Sequence, residues 1–230
     1  GKGDEARKTL RQFLSTARTD GERRQAWFWT SMSYANEGSW AEAIRAVEEE
    51  KKIADASGDL SAAAGDLQLI GNLSLAAGKP QEAMARFEEG QRLLERANVP
   101  AEVKEAGKRA HLFNGARAAL GRGDLEGARA LSTRYATAVE AKKVPFERWQ
   151  AHELSGMVAL QAHDWDGALR ELGQSTTQNP RVLYLTGLAY QGKGEAAQAQ
   201  KAFTAAADFN ALHPLLPFVR SDARRQLGRS

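Results

Sequence analysis

A set of small and bulky residues with one internal spacing recurs along this chain, and it leaves few architectures open. Counted from Gly187, Tyr190, Ala199, Phe203 and Ala206 fall at spacings 3, 12, 16 and 19. The same template laid on Gly156 meets Ala159, Ala168, Leu172 and Ser175, with Pro180 shortly after. Laid on Gly71 it meets Ser74, Ala83, Phe87 and Gly90, and laid on Ser31 it meets Tyr34, Ala43, Val47 and Glu50. A weaker copy starts at Ala116, with Ala119 and Ala128 in place and Leu131 one residue out of step. Self-similarity of this kind marks stacked structural repeats. A single such unit cannot bury its apolar face alone, so neighbours must stack.

The residue types favour helix. Alanine is abundant and β-branched residues are sparse, which suits helix better than strand. Small residues at Gly71, Gly156, Gly187 and the template alanines let two helices approach closely. Tyr34, Tyr190, Phe87, Phe203 and Leu172 fill the space that remains. Turn-like stretches stand in corresponding places: "NEGSWAEA", "AAGKPQEA", "LGRGDLEGA", "QAHDWDGA" and "QGKGEAAQA". Gly38, Gly78, Gly123 and Gly194 suit the left-handed residue that ends a helix. Ser39, Asp124 and Asp164 suit the cap of the next helix, and Pro80 its first turn. The pattern predicts helices near 4–18, 22–37, 40–56, 60–77, 80–97, 101–121, 124–141, 146–161, 165–177, 181–192, 195–209 and 213–227.

These spacings resemble the tetratricopeptide repeat, W-x2-L-G-x2-Y, then A-x3-F, then P. The resemblance covers roughly residues 24–210, and no single copy is complete. Trp27 is the one tryptophan at the first position and Pro180 the clearest closing proline. The copies are 40, 45, 40 and 31 residues apart, against about 34 in the family, so they are divergent, and the resemblance is to a bacterial-type member of the family. The resemblance implies an all-α fold, an α-solenoid of antiparallel helix pairs in a right-handed superhelix. It implies one domain over 1–230, with repeats near 22–57, 60–97, 101–141, 146–177 and 180–210. Helix 4–18 would precede them, and 213–227 would cap the end through Leu215, Leu216, Phe218 and Val219.

Several other classes are disfavoured. There is no cysteine, hence no disulfide, thiolate metal site or cysteine nucleophile. The net charge of +3, with basic and acidic residues interspersed, gives no reason to expect a nucleic-acid partner. No apolar run is long enough to insert in a membrane. The opening "GKGDEARK" has neither Met nor an apolar signal region, so a targeting segment could precede it and the compartment stays open. "GLAYQGKG" (187–194) imitates a phosphate-binding loop, but Gly194 stands where that loop needs a hydroxyl for Mg²⁺. His111, His152, His163 and His213 form no i,i+3 or i,i+4 metal pair. "HDWD" (163–166) reads as a turn and cap, "RGD" (122–124) as another turn, and "EEEKK" (48–52) as a solvated helix face. No catalytic residue, metal ligand or cofactor is expected.

The resemblance further implies a concave groove lined by the first helix of each repeat. The matching residues are Phe28, Met32, Gln68, Asn72, Phe113, Arg117, Glu153, Met157, Tyr184 and Leu188, with Asn114 adjoining. This mixture of apolar area and a few polar anchors suits an amphipathic protein or peptide segment. One class of the family grips a carboxylate with lysines, asparagines and an arginine. Here Asn72 and Asn114 match, but Gln68, Gln150 and Leu154 stand at cationic positions, which disfavours an acidic-tail ligand. Arg117 either meets an acidic group of the ligand or bridges to Glu153. The expected function is a non-enzymatic scaffold, and self-association through the end repeats is a further expectation. Two alternatives stand beside it: a repeat segment of a larger regulatory protein or kinase, and a small-ligand binder or enzyme using Glu153, Arg117 and Tyr184.

Overall fold

The structure, a computed structural model, describes residues 2–142, 144–211 and 213–229. Among them the chain forms twelve α-helices, one 3-10 turn and no strand. It divides into two compact units, Gly1–His111 and Leu112–Ser230. The first unit holds α1 (Gly3–Thr16), α2 (Asp20–Ala35), α3 (Trp40–Ser57), α4 (Leu60–Ala76) and α5 (Pro80–Arg96). The boundary falls within α6 (Ala101–Gly121). The second unit continues with α7 (Leu125–Lys142), α8 (Pro145–Gln161), α9 (Trp165–Leu172), α10 (Pro180–Gly192), α11 (Ala196–Ala207) and α12 (Arg220–Gln226). In the first unit α2 pairs with α3 and α4 with α5, α3 packs on α4, and α1 on α2. In the second, α8 pairs with α9 and α10 with α11, while α7 packs on α8, α9 on α10 and α12 on α11.

One backbone motif ends the first helix of every repeat. The carbonyl of the residue three places into the template accepts from the amide five residues later. The bonds are Ser39 to Tyr34 (3.0 Å), Lys79 to Ser74 (2.9 Å), Asp124 to Ala119 (2.9 Å), Asp164 to Ala159 (2.9 Å) and Glu195 to Tyr190 (3.0 Å). This is the helix-ending turn in which a left-handed residue reverses the chain. Gly38, Gly78, Gly123 and Gly194 supply that residue as expected, with φ between 73° and 79°. In the fourth repeat His163 does so at φ 57°, which sequence reasoning had not anticipated. The template alanine then makes the opening bond of the second helix, from Ala43, Ala83, Ala128, Ala168 and Ala199 to the residue four before it.

Side-chain capping is less uniform. Asp124 and Asp164 accept from the amides of Gly127 and Gly167, at 2.9 Å each, as expected. Ser39 makes no side-chain cap, a correction; the turn motif alone reverses the chain there. Thr19 and Glu22 form a reciprocal capping box that starts α2.

The small and bulky template positions meet across each helix pair. A Cβ on Gly71 would strike the Phe87 ring, one on Gly187 the Phe203 ring, and one on Gly156 the Leu172 side chain. The weak third copy keeps the template's phase and exchanges its volumes. Ser132 occupies the bulky position and Tyr135 the closing small one, both buried, with Tyr135 in a core with Phe113, Ala116, Val139 and Leu154.

Two helices end differently from expectation. α9 stops at Leu172 rather than near 177, because Gly173 ends it and the Ser175 hydroxyl turns back to the Trp149 carbonyl at 2.9 Å. The single closing helix expected over 213–227 is instead a 3-10 turn, Leu216–Phe218, followed by α12. Pro214 and Pro217 lack the amide a helix needs, so α12 begins only at Arg220. Leu212, at the edge of that span, lies outside the described residues. Val219 and Ala223 are buried in the C-terminal part, while Leu215, Leu216 and Phe218 are half-buried. α12 repeats the helix-ending motif, with the Arg229 amide on the Arg224 carbonyl and Gly228 at φ 64°.

Two glycines of α4 give opposite expectations. Gly71→Ala drives a methyl into Phe87 and is expected to destabilise by about 1–3 kcal/mol. Gly65→Ala meets nothing within 4 Å in a helix interior and is expected to stabilise by roughly 0.5–1 kcal/mol. Urea midpoints of the two variants against wild type check both signs. His163→Gly relieves a left-handed non-glycine residue and is expected to raise the thermal midpoint, while His163→Val is expected to lower it.

Candidate functional site

In the second unit arginines of two first helices, α6 and α10, reach the Phe113 ring. Asn179 starts the arrangement: its side chain accepts from the Arg181 amide at 2.9 Å, and Pro180 opens α10. Arg181 is thereby set on the first turn, where its Nε donates to the Glu153 carboxylate on α8. Asn179 Nδ2 donates to the other oxygen of Glu153 at 3.2 Å. All three residues are buried, Glu153 to 1 % exposure. Both carboxylate oxygens are therefore bonded where water cannot reach them.

Two guanidinium groups lie near the Phe113 ring. Arg117 stands 5.6 Å and Arg181 5.8 Å from the ring centroid, within reach of the ring's quadrupole. Arg117 Nη1 donates to Asn114 Oδ1 at 3.3 Å. Burial pushes the Arg117 guanidinium down to about 9, helped by Arg181 and opposed by Glu153, so it keeps its charge at neutral pH. The His213 imidazole is also pushed down, first by burial and then by Arg181, with Glu153 opposing.

Glu153, one of the two partners the sequence offered Arg117, is bonded directly by Arg181. Sequence reasoning missed both Arg181 and Asn179. The signal available was "NPR", a cap, a helix-opening proline and a cation aimed back along the stack. Phe113 and Asn114 are buried, at 5 % and 6 % exposure, and Met157 is half-buried against the same core. Leu188 is half-buried. Tyr184 belongs to a different cluster. Its ring lies 5.7 Å from Phe203, and it packs with Leu183 and Leu227 on Ala206, Ala207 and Ala223. Burial and Asp222 push its phenol up, against a hydrogen bond with Gln226.

The remaining expected residues lie in the first unit. Phe28, half-buried, meets Trp29 edge to face at 5.1 Å, and Met32 is buried. Asn72 donates to the Gln68 carbonyl at 2.9 Å, one turn back along α4. At the positions lacking cations, Gln150 accepts from the Tyr135 hydroxyl at 3.1 Å and Leu154 is fully buried.

The rejected motifs have structural roles. "GLAYQGKG" is the end of α10 and its turn, with helix where a phosphate loop has a strand. Lys193 bonds Asp166 at 2.8 Å and Glu195 at 3.0 Å, which pushes its ammonium up. Asp124 of "RGD" and Asp164 of "HDWD" are helix caps. His152 Nδ1 lies 3.0 Å from Glu171. Among the described residues no group of three or more His, Asp or Glu could hold a metal ion. No helix there is long and apolar enough to cross a membrane.

No family model and no curated protein matches the sequence. Solved structures do. BtubC (BKLC) from P. vanneervenii is similar over 92% of this chain and 91% of its own, with a TM-score of 0.55 and 14% identity. A point-substituted form of nearly identical TPR-like repeats of kinesin-light-chain type from Podosopora anserina is similar over 93% of this chain and 100% of its own. Its TM-score is 0.50 and its identity 16%. The chain has a tetratricopeptide-like helical-repeat fold. Within this fold, Phe113, Arg117, Glu153, Met157 and Leu188 all stand on first helices of tetratricopeptide-like pairs.

Glu153→Ala leaves Arg181 buried without its carboxylate. The expected cost is about 3–5 kcal/mol, read from chemical unfolding of the second unit. Glu140→Ala, which breaks the exposed pair with Arg148, is expected to cost less than about 1 kcal/mol in the same assay.

Proposed function

We propose that the chain is a non-enzymatic scaffold that holds a protein or peptide segment against the first helices of its tetratricopeptide-like repeats. The observation that carries this reading is the Phe113 platform. A buried ring holds the Arg117 guanidinium over it, Asn114 orients that guanidinium, and Met157 lies half-buried against the same core. Aromatic and arginine side chains fixed in place are the residues on which binding energy concentrates. The likeness to TPR-like repeat structures supports the same reading. Phe113, at 5 % exposure, acts by positioning Arg117. The apolar area this unit offers to a ligand comes from half-buried Met157 and Leu188. An amphipathic segment with one polar anchor fits that mixture better than a strongly charged one.

A second reading, a small-ligand binder, draws on a cleft of about 450 Å³ in the first unit, floored by Leu10, Leu14, Trp27 and Tyr34. Arg7, Arg45, Glu42 and Glu49 of its lining are ion-paired, and Arg11 and Glu48 supply the polar chemistry it offers a small molecule.

The test is protein capture from native lysate by wild type and by Arg117→Ala with Leu188→Ala, with helicity checked by circular dichroism. The partner wild type retains is expected to bind the folded variant at least tenfold more weakly, about 1.4 kcal/mol. Equal capture by the folded variant sinks the reading.

A further inference from the structure

The first unit contains a buried charge cluster in which two carboxylates meet one guanidinium. Arg24, on α2, gives both terminal nitrogens to Asp66 on α4: Nη1 to Oδ2 at 2.7 Å and Nη2 to Oδ1 at 2.9 Å. The same Nη1 also reaches the Glu50 main-chain carbonyl at 3.0 Å, tying α3 into the joint. The Glu50 carboxyl receives only what is left, an approach of 3.3 Å from Nη2 to Oε1. Its other oxygen, Oε2, is buried with no hydrogen-bond partner. The Glu50 side chain is 9 % exposed and that of Asp66 5 %.

Three further charged groups act on the cluster. Lys51 and Asp55, on α3, and Asp59, which caps α4, act on Asp66 or Arg24. With both carboxyls ionised, the one guanidinium cannot satisfy them, and an uncompensated charge stays out of water. Placing a proton on Glu50 removes that charge and leaves Arg24 undivided on Asp66. Position in the repeat accounts for the burial: Glu50 stands at the closing template position, where Gly90 and Ala206 are buried small residues in other copies.

We propose that Glu50 is a proton-linked lock on the first unit. Protonated, it leaves Arg24 on Asp66 and holds α2, α3 and α4 together; ionised, it draws the guanidinium from Asp66 and loosens the joint. Burial, reinforced by Asp66 and opposed by Arg24, pushes the Glu50 carboxyl up to about 7, from 4.5 in an unfolded chain. Between those values the folded chain keeps a proton that the unfolded chain has released. Stability from this group is therefore full below pH 4.5 and is lost as pH rises through about 7. The lock does not depend on what the scaffold binds, although α2 and α4 also carry Phe28, Met32, Gln68 and Asn72.

The experiment is thermal unfolding of the full chain from pH 5 to 8.5, wild type against Glu50→Gln, which mimics the protonated acid. Wild type is expected to lose roughly 5 °C or more relative to the variant across that range. The Glu50 carboxyl carbon, followed by ¹³C NMR in wild type, is expected to titrate near neutrality. Parallel unfolding curves, or a carboxyl titrating in the ordinary range near 4.5, overturns the proposal. If the variant fails to fold, the carboxyl titration decides alone.

Discussion

The fold depends on how closely two helix backbones can approach. At Gly71, Gly156 and Gly187 the space a methyl group would need is filled by Phe87, Leu172 and Phe203 from the partner helix. Interiors packed at this density tolerate neither a void nor an added carbon without some loss. The close approach in turn requires the chain to reverse at one fixed place. The five-residue amide-to-carbonyl bond that ends each first helix sets that place to the same template position in all five copies. Backbone hydrogen bonds thus supply the regularity, and side-chain volume adapts to it. The third repeat makes the order of precedence plain, because Ser132 and Tyr135 exchange bulk while the turn at Ala119 and Asp124 stays in register.

Against that regular frame, two buried charge clusters, one in each unit, have opposite character. Around Arg24 two carboxylates meet one guanidinium, and around Glu153 two guanidiniums approach one carboxylate. Desolvation penalises both arrangements, and the outcome differs with the chemistry of the group in excess. A carboxyl can take up a proton near neutrality, so the excess in the first unit becomes a titration at Glu50. A guanidinium stays charged at neutral pH even when pushed down, so the second unit must manage Arg117 by other means. The face of Phe113 and the Asn114 carbonyl oxygen are two of them.

Much of the architecture was legible because it rests on local chemistry. Glycine at the turn, alanine at the first bond of the second helix and proline at a helix start each express a backbone requirement at one position. Such requirements can be read from one sequence, and the helix pairs follow from them. The errors arose where a local signal competed with another. α9 ends early because Gly173 outweighs the helix-compatible residues beyond it, and the last helix starts late because of Pro214 and Pro217. His163 had no signal, since only its place in the register says that it must be left-handed. The site was less legible still. Phe113, Arg117 and Glu153 could be placed on first helices by register. That Arg181 would take the Glu153 carboxylate depends on distances between α8 and α10 that no spacing within one repeat encodes.

This division bears on where specificity in such a chain can reside. Positions that satisfy the template are interchangeable between repeats, since each performs the same backbone task. Positions that depart from it are not: Glu50 where a small residue belongs, Tyr135 where bulk has moved, and Arg181 beside a helix-opening proline. Each departure puts a polar or large group in the interior and needs a particular neighbour to accommodate it, Arg24 for Glu50, Gln150 for Tyr135, Glu153 for Arg181. Tyr135 with Gln150, Arg181 with Glu153 and Arg24 with Asp66 each join neighbouring repeats, so exchanging one repeat strands a polar group in the core. The departures therefore give each repeat its own identity and its own electrostatics.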